Sequence, residues 1–190
     1  ARVDMAALPL DDAKTYERER VFENKDGMDI TGVSSDGRYL ALQKTRTTVD
    51  NELYLHDLET GERTHLSPHE GNAAFNAQAF DPQGTALYYT TNEGSEFSRL
   101  RRYLFATKSH EDVKSDNWDI FDVSFSHNGK YRVDMTNVDG ATGVEVIDTA
   151  TNTPVTLPKM PAGEIRNVRI ARSESRMAFY VNGDRQPNDL

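Results

Sequence analysis

The chain has 190 residues, is 36% hydrophobic, and carries 31 acidic against 22 basic residues, which gives a net charge of −9. The charges are interspersed without a basic tract, so we expect no nucleic-acid partner and no anionic membrane partner. The absence of cysteine excludes disulfides and thiolate metal sites but leaves the cellular compartment open, and no apolar run approaches the roughly 18 residues of a spanning helix.

Residues 1–25 are predicted to form only the second half of a repeating unit. Two strand-like runs, 2–8 and 19–22, flank a loop that contains Thr15. The next segment, 26–70, is the clearest complete unit, because its apolar and polar residues alternate as they do in half-buried strands. Asp36-Gly37 predicts a hairpin turn, and Pro68 ends the unit. Its strands are predicted over 29–33, 39–42, 52–56 and 62–66.

The segments 71–115 and 116–160 repeat this unit, and 161–190 repeats its first half. Strands are predicted over 75–80, 86–90 and 100–104, then over 120–125, 131–135, 144–147 and 155–157. Asn128-Gly129 predicts a type I′ turn. In 131–135 the mixed faces, with Arg132 and Asp134 on one side, suit a strand near a wet channel. The last segment supplies strands 165–171 and 176–181 and ends before a third.

Two markers recur in one register roughly every 45 residues. The first is a turn glycine, which serine replaces in the last copy. The second is a threonine between later strands of a unit. A period of this size built of short strands predicts an all-β fold, a β-propeller fragment of four-stranded antiparallel blades covering about half of a seven- or eight-bladed ring. The markers are Gly37, Gly84, Gly129 and Ser175, and Thr15, Thr60, Thr107 and Thr151.

Three segments carry a resemblance to a known family. These are Val-Ser-Phe-Ser-x-x-Gly-Lys-Tyr at 123–131, Asn-Glu-Gly-Ser-Glu-Phe at 92–97, and Leu-His-Asp-Leu-Glu-Thr-Gly-Glu at 55–62. Together they resemble the propeller of the prolyl oligopeptidase family of serine peptidases, in particular its acylaminoacyl and dipeptidyl peptidase branches. The Ser-x-Asp-Gly repeat is equally similar to TolB-type propellers, whereas 92–97 favours the peptidases.

The resemblance implies a non-catalytic propeller that gates access of peptides to an α/β-hydrolase domain with a Ser, Asp and His triad. The chain itself has no Gly-x-Ser-x-Gly elbow and no Glu-Glu pair of the kind that some members use for substrate, so we expect no enzymatic activity from this segment. We assign no catalytic, cofactor-binding or metal residue and no cofactor. The implied partners are missing blades and a hydrolase domain of the same parent, and the parent's peptide substrates. A TolB-like protein-binding propeller is the alternative.

Several residues are considered for metal-binding, packing or catalytic roles. His65 and His69 have a metal-ligand spacing on a helix, but Pro68 favours a polar loop between blades. Trp118 is interpreted as a buried packing residue between blades, and a platform on which a ligand stacks is the alternative. A Ser-His-Asp triad and calcium binding by Asp26, Asp29 and Asp36 are both disfavoured, since neither an elbow nor an EF-hand spacing is present.

The segment from Glu93 to Arg99 is interpreted as a solvated turn with an internal ion pair that involves Glu93 or Glu96. Its alternative role is to line the entrance or to meet the hydrolase domain. The two half-units at the ends of the chain would leave unpaired strand edges. We therefore hypothesise that the chain self-associates into a larger ring, and closure of four blades within one molecule is the alternative.

Overall fold

A computed structural model of the chain describes residues 5–7, 19–160, 163–183 and 186–189. Within these ranges the regular elements are all β-strands, and no helix is long and apolar enough to cross a membrane. The strands form five separate antiparallel sheets, which we call blades 1 to 5 in chain order. Blade 1 consists of β1 (Met5–Ala7) and β2 (Glu19–Phe22).

Three four-stranded blades and one three-stranded blade follow. Blade 2 contains β3 (Asp29–Val33), β4 (Tyr39–Thr47), β5 (Asp50–Asp57) and β6 (Arg63–His65). Blade 3 contains β7 (Phe75–Phe80), β8 (Ala86–Thr91), β9 (Arg99–Leu104) and β10 (Ser109–Lys114). Blade 4 contains β11 (Ile120–Phe125), β12 (Tyr131–Val138), β13 (Ala141–Asp148) and β14 (Thr153–Pro154). Blade 5 contains β15 (Glu164–Ile170), β16 (Met177–Gly183) and β17 (Gln186–Asp189).

In blades 2 to 5 the strands form a meander whose first strand lies innermost. Strand order within every sheet follows chain order, and β7 contacts both β3 and β11. The innermost strands of successive blades are therefore neighbours around a common axis. This arrangement confirms the predicted all-β propeller fragment. Blade 1 does not hydrogen-bond to blade 5 within the described ranges, so these sheets do not close a four-bladed ring.

The hydrophobic core is divided among the interfaces between blades. On β4, Leu40 and Leu42 face Phe22 and Met28 of the preceding segment, whereas Ala41 faces blade 3. Side chains alternate in the same way on β8, where Leu87 and Tyr89 face blade 2 and Ala86 and Tyr88 face blade 4. Successive residues of a strand point to opposite faces, so the second strand of a blade contributes side chains to both of the interfaces that flank the blade.

The innermost strands were predicted most accurately and the outer strands least. The predicted runs 29–33, 75–80 and 120–125 agree with β3, β7 and β11. The outer strand β10 was not predicted, and the expected strand 155–157 was wrong because β14 covers Thr153–Pro154 instead. Blade 5 has a third strand, β17, where none was expected. The unit boundaries 25/26, 70/71, 115/116 and 160/161 remain a prediction.

The recurring turns are confirmed, with a correction in the fourth copy. Gly37, Gly84 and Gly129 have φ of 74°, 69° and 76°, and the N–H of each donates to the carbonyl three residues earlier. In blade 5 the equivalent hydrogen bond is donated by Glu174, whose φ is 55°, so Glu174 and not Ser175 occupies the glycine position. Glutamate at this φ is strained, whereas glycine is not.

The type I′ turn predicted at Asn128-Gly129 was wrong. A type I′ turn needs positive φ at both central residues, and here only the final residue, Gly129, has it. A two-residue turn with that geometry lies instead between β12 and β13, where Asp139 and Gly140 have φ of 49° and 79°. The Asp-Gly dipeptide between two apolar runs was the signal for it.

The threonine marker is confirmed where the structure describes it. Thr60, Thr107 and Thr151 all lie between the third and fourth strands of their blades. Thr60 accepts a hydrogen bond from the Glu62 N–H at 3.2 Å, which tightens the turn. Thr15 lies outside the described residues.

Candidate functional site

The innermost strands share a distortion that shapes the concave surface. The pairing register between the first and second strands slips once in blades 2, 3, 4 and 5. The slip leaves Thr31, Gln78 and Phe121 without a direct partner across the ladder, and in blade 5 it does so for both Asn167 and Val168. A bulge of this kind bends the strand and redirects a side chain.

Gln78 shows what a bulge residue can do. Its Nε2 donates to Thr90 Oγ1 at 2.9 Å, and its Oε1 accepts the backbone N–H of Val123 at 3.2 Å. Val123 belongs to the innermost strand of the next blade. The bulge therefore places an amide that fastens blade 3 to blade 4 from inside.

A second joint recurs at the start of the innermost strands of blades 3, 4 and 5. The backbone N–H of Phe75 donates to Asn51 Oδ1 at 2.7 Å, and that of Ile165 donates to Thr142 Oγ1 at 3.0 Å. Between blades 3 and 4 the partner is a backbone group, since the Ile120 N–H donates to the Ser98 carbonyl at 3.0 Å. Each joint satisfies a donor that would otherwise be unpaired. The joints hold the third strand of one blade against the first strand of the next.

A large cavity lies beside these joints, and we call it cavity A. It has a volume of about 700 Å³ and spans the ends of blades 3, 4 and 5. Its polar lining comes from amides and carboxylates, and the described lining residues include no Lys, Arg or His. The amides and carboxylates belong to Asn76, Gln78, Asn92, Asn137, Glu96, Asp119 and Glu164. The bulge residue Phe121 is also part of the wall. Sequence analysis assigned no site here, although Glu96 was considered as an entrance residue.

A second cavity, of about 540 Å³, lies along the other end of the innermost strands. Its charged lining residues are Asp122 and Arg169. Partial desolvation raises the pKa of Asp122, and the positive charge of Arg169 opposes that shift. The two cavities give the concave surface a mixed lining, because the second one also includes apolar side chains such as Val33, Phe80 and Leu87.

The two histidines of the metal hypothesis point to different partners. His69 has both ring nitrogens beside acceptors, Nδ1 at 2.7 Å from the Ser67 carbonyl and Nε2 at 2.8 Å from Asp50 Oδ1. A ring that donates from both nitrogens is protonated, and these hydrogen bonds raise the pKa of His69. Burial lowers the pKa of His65, with the Glu52 carboxylate opposing. No group of three or more metal ligands occurs among the described residues.

The geometry also argues against a catalytic triad at this cluster. Ser67 Oγ lies 3.4 Å from His65 Nε2, and Glu52 Oε1 lies 3.8 Å from the same nitrogen. A triad needs the hydroxyl and the carboxylate on opposite ring nitrogens. Ser67 Oγ is already engaged by the Leu53 N–H at 2.7 Å. The cluster therefore holds the loop between blades 2 and 3 and does not form a nucleophile.

The remaining sequence hypotheses have mixed outcomes. The expected ion pair inside 93–99 does not form, because Glu93 lies 3.9 Å from Arg101 and Arg99 lies 3.8 Å from Asp112. The interpretation of Trp118 as a buried packing residue was wrong, since 38% of it is exposed.

The three aspartates considered for calcium do not converge on one site. Asp26 pairs with Arg63, and Asp36 accepts a hydrogen bond from Ser34 Oγ at 2.5 Å. Asp29 is exposed on β3.

Comparisons with known proteins complete this description. A family model described as the prolyl oligopeptidase N-terminal β-propeller domain matches residues 12–182. A comparison with curated proteins found no match. Among solved structures, one from a study of two prolyl endopeptidases aligns with a TM-score of 0.72 and 18% identity, over 96% of this chain and 30% of that chain.

Two further solved structures have the same fold. Prolyl oligopeptidase B from Galerina marginata aligns with a TM-score of 0.67 and 16% identity, over 90% of this chain and 26% of that chain. TolB from Acinetobacter baumannii aligns with a TM-score of 0.64 and 15% identity, over 90% of this chain and 42% of that chain. The chain thus spans less than half the length of each of these structures, and identities this low show the fold alone.

Proposed function

Because this chain belongs to the prolyl oligopeptidase N-terminal β-propeller family, we propose that it is the non-catalytic, substrate-gating part of a serine peptidase. The hydrolase domain that cleaves the peptide bond would be another part of a longer protein. The observation that carries this proposal is the family match over residues 12–182. A function inferred from a shared fold needs support from the site.

The concave surface supports a gating role. It combines polar and apolar side chains and holds two cavities of about 700 and 540 Å³, in the size range of sites that enclose small ligands or short peptide segments. Gln78 fastens the innermost strands of blades 3 and 4 to each other, and the joints fix the innermost strands of blades 3, 4 and 5 against the preceding blade. Gating by such a propeller would admit an extended chain and reject a folded domain.

The decisive experiment uses the longer protein that would contain this chain. A fluorophosphonate probe should label it, and replacing the serine of its Gly-x-Ser-x-Gly elbow should abolish labelling. The purified 190-residue chain is the matched control and should neither be labelled nor hydrolyse prolyl, alanyl or acylaminoacyl substrates. A longer protein without an elbow, or one that the probe does not label, would contradict the proposal.

A second candidate is a TolB-like propeller that binds proteins and has no enzymatic activity. Its support is the structural likeness to TolB together with the Ser-x-Asp-Gly-Arg turn at 34–38, which suits both families. The same labelling experiment separates the two candidates, since a TolB-like parent has no nucleophile for the probe.

A further inference from the structure

The face of the molecule that holds cavity A also carries exposed aromatic and aliphatic side chains. Phe121, Trp118 and Val138 are 45%, 38% and 38% exposed. The ring of Phe97 lies 6.2 Å from that of Trp118. Phe97 and Trp118 are chain neighbours of residues that line the cavity. We call Phe97, Trp118, Phe121 and Val138 the apolar rim.

The apolar rim is not required by the blade fold. Phe121 is the bulge residue of blade 4, whereas the bulge residues of blades 2 and 3, Thr31 and Gln78, are polar. In blade 5 the bulge exposes Asn167 and buries Val168. Blade 4 thus exposes a phenyl ring where its repeats expose hydrogen-bonding groups. Grouped exposed apolar side chains that do not serve packing mark interaction surfaces.

The charge of the cavity restricts what can bind there. Among its three carboxylates, Glu164 is paired with Arg166 at 2.7 Å. Asp119 accepts a hydrogen bond from the Ser98 N–H at 2.8 Å, and no ion pair links Asp119 or Glu96 to a cation within the described ranges. A phosphate or an acidic peptide would be repelled. A second copy of this chain, with a net charge of −9, would also bring unfavourable charge.

We propose that cavity A and the apolar rim bind an extended peptide segment in which a Lys or Arg side chain is adjacent to an apolar side chain. The apolar side chain packs on Phe121, and the cation lies between Glu96 and Asp119. Asn76 and Asn137 line the same cavity, and their amide groups would hydrogen-bond the peptide backbone. As a statement about peptidase substrates, this inference rests on the proposed function and names its substrate class.

The chain contains its own reporter for this binding. Trp118 is the only tryptophan, and it lies in the apolar rim. Short capped peptides of equal length are titrated into the 190-residue chain while the fluorescence emission of Trp118 is recorded. A Lys-Leu peptide should change the emission with a saturable isotherm that weakens as ionic strength rises. Lys-Ser and Glu-Leu peptides should bind much more weakly, because the first lacks the apolar side chain and the second lacks the cation.

Two variants test whether Phe121 and the carboxylates of Glu96 and Asp119 contribute to peptide binding. Phe121→Thr installs the bulge residue of blade 2, and the double variant Glu96→Gln, Asp119→Asn removes charge while keeping hydrogen-bonding groups. Each should weaken Lys-Leu binding by roughly tenfold, the size expected when one anchor of an interface is lost. Val49→Thr and Glu70→Gln are the matched controls, because both positions are exposed, lie on blade 2 or its connection, and do not line cavity A. Urea midpoints of all variants verify that folding is intact.

Three results would overturn the inference. The first is equal affinity for Glu-Leu and Lys-Leu peptides, and the second is undiminished binding by both site variants. The third is an emission change that follows protein concentration alone and coincides with a sedimenting dimer, which would make this face an interface between copies. A negative peptide titration does not change the fluorophosphonate result, so the gating proposal and the peptide preference can fail separately.

Discussion

The guanidinium of Arg132 and the carboxylate of Asp134 form a two-point ion pair inside the interface between blades 3 and 4. Nε donates to Oδ1 at 2.7 Å and Nη2 donates to Oδ2 at 2.9 Å. The Asp134 side chain is fully buried, and the guanidinium lies 5.9 Å from the ring centre of Tyr88 on blade 3. The charged face of β12 is therefore enclosed between blades, and the expectation that it suits a wet channel was wrong.

The first prediction concerns this pair. Asp134→Ala leaves the Arg132 guanidinium buried without its carboxylate, which should lower the free energy of unfolding by about 3–5 kcal/mol. The control is Glu111→Ala, which removes a half-exposed partner of Arg102 and should cost no more than about 1 kcal/mol. Urea unfolding measures both. Equal midpoints for the two variants would show that the buried pair contributes no more than the exposed one.

The second prediction separates backbone strain from contact between blades. Gly37 and Gly129 have nearly the same φ, but a Cβ at Gly37 meets no atom within 4 Å, whereas a Cβ at Gly129 would lie 3.0 Å from Pro82 Cγ and 2.7 Å from Gln83 Nε2. Both alanine variants incur about 1–2 kcal/mol for the left-handed conformation. Gly129→Ala should therefore have the lower urea midpoint. Equal midpoints would mean that the turn of blade 3 moves aside freely, and the reverse order would contradict the prediction.

The third prediction is a pH dependence with a defined sign. The hydrogen bonds to the Ser67 carbonyl and Asp50 raise the pKa of His69 above its unfolded value. The stabilisation is then complete below the unfolded pKa near 6.5 and is lost as the pH rises through the folded pKa. The stability difference between the parent chain and His69→Gln should therefore be larger at acidic pH and shrink at alkaline pH. The positive charge of Arg46 opposes the shift but does not reverse it.

His110→Gln is the control of opposite sign for that experiment. Burial lowers the pKa of His110, whose Nδ1 lies 2.8 Å from the Tyr89 hydroxyl. Its neutral form is favoured by folding, so its contribution is present above the unfolded pKa and fades as the pH falls. Urea unfolding over a series of buffers gives both differences. A His69 difference that grows with pH would contradict the assigned hydrogen bonds.

The fourth prediction is self-association of the chain. In blade 5, Met177 and Phe179 pack against blade 4, whereas the alternate residue Tyr180 is 41% exposed on the other face. Blade faces are built to be covered by a neighbour. Sedimentation should therefore show a concentration-dependent dimer at micromolar concentration, and Tyr180→Lys should abolish it whereas Val49→Lys should not. A monomer at every concentration would refute the prediction.

Much of the fold follows from local sequence. The turns at Gly37, Gly84 and Gly129 could be predicted because positive φ is strongly disfavoured for residues with a Cβ. The innermost strands could be predicted because half-buried strands need alternating polarity, and a repeat of about 45 residues selects a propeller among the all-β folds. These are properties of neighbouring residues, which a sequence displays directly.

The candidate site depended on contacts between residues that are distant along the chain. Sequence alone did not show that Phe121 sits in a bulge, that Trp118 is exposed, or that Arg132 and Asp134 are enclosed, since each fact depends on the register between strands or on the next blade. A one-residue change of register moves a side chain to the opposite face of a sheet. Local alternation therefore determined where strands form, whereas only the packing of blades decided which side chains line the cavity.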